Sequence, residues 1–377
     1  MACALRLAER GLYTTQPNPR VGCVIVQGEE IVGKGWHARA GAPHAEVFAL
    51  REAGTRARGA CVYVTLEPCA HLGRTPPCAD TLIEAGVARV VASCGDSNPK
   101  TAGGGFAKLR AAGIVVEKGL IGEQARELNR GFFSRMERDR PWVRVKLAMS
   151  LDGRTALANS ASKWITGEAA RADVQRWRAR SSAILTGAGT ARTDNPRLTM
   201  RKRGQSHFSP QDSISCNGPP KNDSDPFSPL RVVLDARLDA LQQGAHLLDG
   251  DASTLVLHAR DAKPCDDRYA RTELVAVAVD DCGRLDLDAV MAVLAQRDVN
   301  ELQVEAGPAL CGALFAQGSV DELLLYVAPV LLGDTARPLL NLPSLTDVQA
   351  RWKLRVIDQR QVGEDWRLLM RPDAENG

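Results

Sequence analysis

Residues 61–78 read Cys61-Val-Tyr-Val-Thr-Leu-Glu-Pro-Cys69-Ala-His-Leu-Gly-Arg-Thr-Pro-Pro-Cys78 and set the organisation of the first half of the chain. The apolar, aromatic and β-branched residues at 61–66 predict a buried strand. A helix is predicted over residues 77–85, and the glycine and prolines before it predict a loop. Two cysteines therefore lie where a strand ends and the next helix begins.

The segments around this stretch alternate between strand-like and helix-like patterns. Before it, residues 21–27 and 31–36 predict a hairpin of strands, and a helix is predicted over about 44–53. After it, the alternation continues with a strand at 88–94, a helix at 105–112, a strand at 114–117 and a helix at 122–133. This order predicts an α/β fold with a layered sheet that carries helices on both faces.

A charged run, Arg135-Met-Glu-Arg-Asp-Arg-Pro141, marks the predicted domain boundary. The chain has 377 residues, more than one ordinary core holds, so we predict a first domain over 1–140 and a second over 141–377. The second half again alternates, with strands predicted near 142–148, 183–186, 231–235, 254–258, 302–305 and 322–327. Residues 201–230 are rich in Ser, Pro, Gly and Asn, which predicts a mobile insertion.

The charge balance limits the classes of partner. Lys and Arg number 48 against 45 Asp and Glu, and the net charge of +3 is spread along the chain. Because no basic stripe indicates nucleic acid or an anionic membrane, we expect a small-molecule substrate. The sequence shows no apolar run of ~18 residues and no secretory pattern at its start, which predicts a cytoplasmic protein. Its 10 cysteines are then expected to be thiols or metal ligands.

His44-Ala-Glu46 and the cysteine pair supply the groups of a zinc site. A catalytic zinc needs three protein ligands and one open position for water, and His44, Cys69 and Cys78 provide that set. Glu46 can face the open position without binding the metal, take a proton from the attacking water and deliver it to departing ammonia. H-x-E followed by P-C and a second cysteine is the signature of zinc-dependent deaminases that act on nucleobases.

The sequence also allows a second set of zinc ligands, which includes His71. Eight residues separate Cys69 from Cys78, whereas the general deaminase pattern is C-x-x-C, and His71 lies between them. His44, Cys69 and His71 could therefore bind the metal, although the single residue between Cys69 and His71 disfavours that set. Taken singly, a histidine at a helix start could be a cap, and Cys69 could be a structural residue.

A wider set of motifs resembles the bifunctional riboflavin-biosynthesis deaminase-reductase family. In chain order the motifs are Pro17-Asn-Pro19, His44-Ala-Glu46, Thr65 to Cys78, Asp96-Ser-Asn-Pro99, Lys146 to Arg154, Lys163-Trp-Ile-Thr166, Asp194-Asn-Pro196 and Val304 to Pro308. They extend over nearly the whole chain, and the longer cysteine spacing is the usual form in that family. The resemblance implies a cytidine-deaminase-like three-layer domain followed by an α/β domain similar to dihydrofolate reductase.

Two reactions are implied by this resemblance. The first domain would use zinc to deaminate 2,5-diamino-6-(5-phosphoribosylamino)pyrimidin-4(3H)-one, and the second would use NADPH to reduce the ribosyl group to ribityl. A homo-oligomer formed through the reductase domain is implied as well. Carried over residue by residue, the substrate contacts of the first domain are Asn18, His37, Arg74, Asp96 and Asn98.

In the second domain the resemblance implies two sets of contacts. Those to the cofactor are Ala148, Trp164, Thr190, Asp194, Ala236 and the turn formed by Gly307, Pro308, Ala309, Leu310, Cys311 and Gly312. Those to the substrate are Lys146, Ser162, Arg178, Leu198, Arg201 and Glu305. The backbone N–H groups of the glycine-bearing turn could face a phosphate, and the two arginines suit a sugar phosphate.

Some of these residues have simpler interpretations. Asn18, beside prolines, could be a turn residue, Trp164 a core aromatic and Arg178 a solvated surface residue. A preference for NADPH over NADH requires cations or a helix N-terminus near the 2′-phosphate. The candidates are Arg192, two residues before Asp194, and Arg237, just beyond the strand predicted to end at Asp235. The sequence does not distinguish between these two arginines.

Two other functions remain open from the sequence. One is a deaminase of nucleosides or tRNA bases with an unrelated appended domain, although tRNA binding would predict a basic stripe. The other is a non-catalytic interaction module stabilised by zinc. Such a module gives no reason for Glu46 to lie two residues after His44.

Overall fold

The computed structural model describes residues 1–71, 76–99, 101–159, 161, 164–200, 228–264 and 266–373. The chain divides into two compact units, one ending at Pro141 and the other starting at Trp142. Of the insertion expected at 201–230, residues 201–227 lie outside the described residues. In the described part of the chain, no helix is both long and apolar enough to cross a lipid bilayer.

The first unit is built on a five-stranded sheet with the strand order β2-β1-β3-β4-β5. Strand β1 is antiparallel to β2 and β3, whereas β3, β4 and β5 run parallel. The elements are α1 (Ala2–Glu9), β1 (Gly22–Gln27), β2 (Glu30–Trp36), α2 (Ala45–Ala53), β3 (Cys61–Val64), α3 (Cys78–Glu84), β4 (Arg89–Ala92), α4 (Gly104–Ala111), β5 (Val115–Lys118), α5 (Gly122–Leu128) and α6 (Arg130–Arg138).

Helices cover both faces of this sheet, because successive side chains of a strand point to opposite sides. On one face, Cys23 and Ile25 of β1 are fully buried in a cluster with residues from α2, α3 and α4. On the other face, Val24 packs against Ala4 and Leu7 of α1. The predicted α/β fold with three layers is confirmed.

A close contact between β2 and α2 fixes the start of that helix. A side chain at Gly35 would place its Cβ 2.1 Å from the carbonyl oxygen of Ala45, so only glycine permits this approach. His44 is the N-cap residue of α2 and has an extended conformation. The first turn of α2, which carries Glu46, is therefore held tightly against β2.

The single helix predicted at 122–133 is wrong, because α5 and α6 are separated at Asn129. Asn129 leaves helical geometry, with φ −107° and ψ 19°. Its side chain accepts a hydrogen bond from the Arg20 backbone N–H at 2.7 Å and donates one to the Arg20 carbonyl at 2.9 Å. A residue far away in sequence thus provides the partner that ends α5.

The second unit contains a nine-stranded sheet with the order β11-β10-β9-β8-β12-β6-β13-β16-β15, and a short pair, β14 and β7. Its elements are β6 (Trp142–Ser150), β7 (Arg154–Ala156), α7 (Glu168–Arg180), β8 (Ala183–Gly187), α8 (Ala188–Asp194), β9 (Leu230–Leu234), β10 (Thr254–Ala259), β11 (Glu273–Val277), α9 (Leu287–Gln296), β12 (Glu301–Val304), α10 (Pro308–Ala316), β13 (Glu322–Ala328), β14 (Arg337–Pro338), β15 (Leu354–Val362) and β16 (Asp365–Pro372).

The order of the parallel strands creates a switch point at the middle of this sheet. In the sheet, strand β6 lies between β12 and β13. Along the chain, β6 is followed by β8, β9, β10 and β11, each placed further toward one side of the sheet. The chain then returns to the middle with β12, between β8 and β6. The carboxyl ends of β6, β8 and β12 are therefore neighbours at one edge. In open α/β sheets such an edge is where ligands bind.

Two strands at the other side of the sheet were missed by the sequence patterns. β16 pairs antiparallel with β13, and β15 pairs antiparallel with β16 at the sheet edge. Most side chains of β15 are exposed, as in Arg355, Val356 and Ile357, so the strand shows no apolar alternation. The six strands predicted for this half are all present.

Candidate active sites

Three sulfur and nitrogen groups converge in the first unit. His44 precedes α2, Cys78 begins α3, and Cys69 lies in the loop after β3. One ligand atom from each lies within 4.8 Å of the others. His44 Nδ1 is 3.1 Å from Cys78 Sγ and 3.5 Å from Cys69 Sγ. Two helix starts and one strand end thus bring together residues that are far apart in sequence.

The chemistry of this donor set suits zinc. Two sulfurs and one imidazole are ligands that zinc prefers, and three protein ligands leave a fourth position open. The hydrogen bond from the Cys78 thiol, with a further one from His44, lowers the pKa of Cys69. The Cys78 backbone N–H also donates to Cys69 Sγ at 3.3 Å. These hydrogen bonds favour the thiolate of Cys69, the form that binds a metal.

Glu46 lies beside these three groups in the first turn of α2. Its side chain is buried, and burial raises its pKa above the ordinary value, while the charge of His44 opposes that shift. A hydrogen bond links Glu46 to the Cys78 thiol. A buried carboxyl group with a raised pKa is a stronger base than an exposed one, which suits it to accept a proton and return it.

Asn18 and His37 lie next to the metal-ligand cluster. The His37 ring meets the His44 ring edge-on, with centroids 5.4 Å apart. His37 Nδ1 is 3.2 Å from the Pro43 carbonyl oxygen, and a carbonyl only accepts, so Nδ1 carries the proton. Nε2 then accepts from Asn18 Nδ2 at 3.1 Å. Burial lowers the pKa of His37, which keeps the ring neutral.

The segment after β4 carries two more of the expected substrate residues. Asp96 Oδ1 accepts a hydrogen bond from the Asn98 backbone N–H at 2.7 Å, which forms a tight turn. Burial raises the pKa of Asp96 to about 6, and the charge of Cys69 contributes to that rise. Arg74, expected to contact the substrate, lies outside the described residues.

His71, the alternative zinc ligand, lies outside the cluster of metal-ligating side chains. It is exposed, and its Nδ1 is 3.2 Å from Thr101 Oγ1. Among the described residues, the group of metal-ligating side chains that converges is His44, Cys69 and Cys78, without His71.

In the second unit, charged side chains gather at the carboxyl ends of β6 and β12. Arg178 of α7 donates two hydrogen bonds of 2.7 Å to the carboxylate of Glu305, which follows β12. Burial would raise the pKa of Glu305, but the charges of Arg178 and Lys146 prevail and lower it to about 2. Burial lowers the pKa of Lys146 on β6. These three residues form a partly buried charged group at the predicted ligand edge.

The glycine-bearing turn begins α10, with Gly307 as N-cap and Pro308 as the first helical residue. Thr190 of α8 lies beside it, since its Oγ1 is 3.6 Å from the position that a Gly307 Cβ would take. Ala309 is exposed, whereas Leu310 packs against Gly187 at the end of β8. Backbone N–H groups at the start of α10 therefore face the same edge as the charged group.

The remaining expected residues occupy varied positions. Cys311, Gly312 and Leu198 belong to the interior, with Cys311 and Leu198 inside apolar clusters. Trp164 is 64% exposed, and the Arg171 guanidinium lies 4.7 Å from its ring centroid. The other positions are Ala148 on β6, Asp194 at the end of α8 and Ala236 just after β9, while Ser162 and Arg201 lie outside the described residues.

Comparisons with known proteins cover both halves of the chain. Residues 1–94 match the cytidine and deoxycytidylate deaminase zinc-binding region, and residues 141–368 match the RibD C-terminal domain. The alternative of an unrelated appended domain is therefore not favoured. The match of both halves confirms the two expected activities, deaminase and reductase, and their cofactors, zinc and NADPH.

Full-length relatives agree with this division. The riboflavin biosynthesis protein RibD of Escherichia coli is 46% identical over 97% of this chain and 96% of its own length. The riboflavin biosynthesis protein RibD of Haemophilus influenzae is 44% identical over 99% of this chain and 96% of its own length. The structure of Acinetobacter baumannii RibD aligns with a TM-score of 0.86 at 41% identity, covering 98% of this chain and 97% of the other.

A structure from Thermotoga maritima, described as a diaminohydroxyphosphoribosylaminopyrimidine deaminase and 5-amino-6-(5-phosphoribosylamino)uracil reductase, aligns with a TM-score of 0.81 at 31% identity. It covers 99% of this chain and 97% of its own. The family suggested by the sequence motifs is thus confirmed over nearly the full length. The chain belongs to the RibD family of bifunctional riboflavin-biosynthesis proteins.

Proposed function

We propose that the first unit deaminates 2,5-diamino-6-(5-phosphoribosylamino)pyrimidin-4(3H)-one at the His44, Cys69 and Cys78 site, and that the second unit reduces the ribosyl group of the product with NADPH. The observation that carries the proposal is the convergence of these three metal-ligating groups beside the buried carboxyl group of Glu46. This arrangement provides a metal with an open position and a proton carrier next to it.

In the first reaction, zinc bound by the three ligands would supply Lewis-acid activation of water. Glu46 accepts a proton as the water oxygen bonds to the ring carbon, and returns it to the amino group as the C–N bond breaks and ammonia leaves. His37 stays neutral and so can hydrogen-bond to the base without carrying charge. Asn18, Asp96 and Asn98 lie around this site and would contact base and sugar phosphate, as would Arg74.

In the second reaction, the residues of the chain bind and orient two ligands. Lys146 and the Arg178–Glu305 pair would hold the sugar and its phosphate, with the carboxylate accepting hydrogen bonds from hydroxyl groups. The start of α10 and Thr190 would face the cofactor phosphates. The other proposed cofactor contacts are Ala148, Trp164, Asp194 and Ala236, and the other proposed substrate contacts are Ser162, Leu198 and Arg201.

The proposal includes the cellular compartment and the oligomeric state of the protein. Cys69 and Cys78 must remain reduced to bind zinc, which is the normal state of cysteines in a reducing compartment, so we place the protein in the cytoplasm. A homo-oligomer would form through the second unit, where Val356, Ile357 and Trp366 expose apolar side chains on the edge hairpin of β15 and β16. Light scattering during gel filtration measures that assembly.

The test of the deaminase assignment is ammonia release from the diaminopyrimidine by the full chain and by Glu46→Gln. The unaltered protein should release ammonia, and the variant should lose the activity by at least about a thousandfold while it keeps its zinc. Cytidine and adenosine serve as the competing substrates. Faster deamination of either nucleoside than of the diaminopyrimidine would overturn the proposal.

A further inference from the structure

Glu67 has no role in the proposed chemistry, yet it lies in the same loop as the ligand Cys69. Its side chain is 4% exposed and its carboxylate accepts three backbone hydrogen bonds. Oε2 accepts from the N–H groups of Asp96 at 3.2 Å and Gly103 at 3.1 Å, and Oε1 accepts from Phe106 at 3.1 Å. One buried side chain thus satisfies three donors that belong to a different part of the sequence.

These three donors enclose the segment that carries the expected substrate residues Asp96 and Asn98. Asp96 begins this segment after β4, and Phe106 lies in the first turn of α4. The Asn98 backbone N–H bonds to Asp96 Oδ1 at 2.7 Å, so the position of Asn98 depends on that of Asp96. Glu67 therefore ties Asp96 before Asn98, and Gly103 and Phe106 after it, to the loop that holds Cys69.

The packing around Glu67 leaves this segment little freedom. A Cβ at Gly105 would lie 1.8 Å from the Pro68 carbonyl oxygen and 3.3 Å from Glu67 Cγ. Only glycine permits such an approach of backbone to backbone. The contact is independent of the hydrogen bonds, and it places the start of α4 directly against the metal-ligand loop.

A carboxylate suits this position better than an amide. Three N–H donors point at its two oxygens, and an ionised acceptor makes the stronger hydrogen bonds. A glutamine would have to turn its NH₂ group toward at least one of these donors, which leaves a buried donor without an acceptor. Both oxygens of Glu67 are thus required as acceptors by its surroundings.

We infer that Glu67 is a positioning residue of the deaminase, which sets where the substrate-binding segment Asp96 to Asn98 lies relative to Cys69. This inference rests on the proposed function, since that function assigns Asp96 and Asn98 to the substrate. Glu67 touches neither the substrate nor the reacting atoms. It acts through the backbone of the segment, and its loss should weaken binding of the diaminopyrimidine while the metal ligands stay in place.

The test compares Glu67→Gln with Glu137→Gln in the full chain. Glu137 is the matched control because it accepts a hydrogen bond from Ser97 of the same segment at 2.6 Å but lies on the solvent side, 40% exposed. Glu67→Gln should raise KM for the diaminopyrimidine at least about tenfold, as expected for a lost hydrogen bond to a buried charge. Zinc content and NADPH-dependent reduction of the deaminated product should be unchanged, and Glu137→Gln should alter KM less than about twofold.

A merely structural role gives a different result. Partial unfolding of the variant would lower the apparent kcat and leave KM unchanged, because the folded fraction would bind substrate normally. An unchanged KM in Glu67→Gln, or a change no larger than that of Glu137→Gln, overturns the inference.

Hydrogen exchange of the unaltered protein provides a second measurement that does not depend on the folding of a variant. The amide protons of Asp96 and Gly103 should exchange slowly, because both donate to a buried carboxylate, and rapid exchange of both contradicts the inference. Absence of ammonia release by the unaltered protein refutes the proposed function instead, and the exchange result remains interpretable in that case.

Discussion

At the scale of single residues, burial and neighbouring charge give similar groups opposite properties. Burial raises the pKa of Glu46, which favours the protonated form of this carboxyl group. Glu305 is 14% exposed, and the charges of Arg178 and Lys146 hold its pKa at about 2 against the effect of desolvation, so it remains charged. One carboxyl group is thereby suited to proton transfer and the other to binding.

The first prediction concerns the metal ligands. Cys78→Ser should lower the zinc content from about one ion per chain to a small fraction of that value, because the site loses one of its three protein ligands. His71→Ala should keep full zinc, since His71 contacts Thr101 instead of the ligand cluster. Metal analysis of the purified proteins measures both. Full zinc in the Cys78 variant together with loss in the His71 variant would make the alternative ligand set correct.

The second prediction concerns Glu305. Glu305→Gln should lower the free energy of unfolding of the second unit by about 3–5 kcal/mol at pH 7, because Arg178 and Lys146 lose their buried counter-charge. The folded pKa of about 2 lies below the unfolded value of about 4.3. The stabilisation is therefore complete above the unfolded value and is lost as pH falls through about 2.

Urea unfolding at several pH values, followed by tryptophan fluorescence, measures this difference. Five of the 6 tryptophans belong to the second unit, so the signal reports mainly on it. Glu273→Gln is the control, because Glu273 is exposed and pairs with Arg297 at the surface, where an ion pair contributes less than about 1 kcal/mol. The prediction is contradicted if the difference in the free energy of unfolding between the unaltered protein and Glu305→Gln does not become smaller as the pH is lowered toward 2.

The spacing of residues in the sequence was sufficient to predict the roles of some site residues but not of others. His44, Cys69 and Cys78 were predicted because zinc requires a small set of ligand types, and the structure brings these three together. The role of Glu67 could not be predicted, since its three partners are backbone N–H groups that any residue provides. Leu198, a proposed substrate contact, lies in an apolar cluster, as its residue type alone also predicts.

At the scale of elements, a buried aspartate organises the loop that follows β9. Asp235 accepts hydrogen bonds from the backbone of Asp239 and Ala240 and from the Tyr269 hydroxyl at 2.9 Å. Asp239, held in this way, contacts both Arg192 of α8 and Arg237 of the loop. The two cations that could recognise a 2′-phosphate therefore lie near each other at the carboxyl ends of β8 and β9.

The third prediction concerns the choice of nicotinamide cofactor. We expect NADPH to be preferred over NADH by at least about tenfold in kcat/KM, which corresponds to ~1.4 kcal/mol and to one charge-assisted contact. Arg192→Gln or Arg237→Gln should reduce that preference and leave NADH turnover nearly unchanged. Arg284→Gln is the control, an exposed arginine paired with Asp280. Equal use of both cofactors by the unaltered protein would refute the prediction.

The success of the element predictions followed the strength of the local pattern. Strands buried on both faces, such as β13 with its seven buried residues, have an unmistakable apolar run, here from Leu323 to Ala328. Strand β15 has mostly exposed side chains and is defined by its pairing with β16, which the sequence does not show. The break between α5 and α6 likewise depends on the distant Arg20 backbone.

At the scale of the whole molecule, two units carry two separate sites, each built at strand ends of its own sheet. The ligands of the first site all come from residues before Pro141, and the charged group of the second comes from residues after Trp142. On the proposed function, each reaction would therefore use its own residues, without a shared catalytic group.

The fourth prediction follows from this separation. Glu46→Gln should abolish ammonia release but leave NADPH-dependent reduction of supplied deaminated product within about twofold of the unaltered protein. The reason is that Glu46 belongs to the first unit, whereas Lys146, Arg178 and Glu305 are unaffected by the change. Parallel assays of the two half-reactions measure this. Loss of both activities in a variant with normal circular dichroism would show that the sites are not separate.

The most direct test of the account is a coupled assay with the unaltered chain, the diaminopyrimidine and NADPH. We predict that ammonia is released first, that NADPH is oxidised only after ammonia appears, and that one NADPH is consumed per ammonia at completion. Ammonia release without NADPH oxidation, or NADPH oxidation that precedes ammonia, would contradict the assignment of the two successive reactions to this protein.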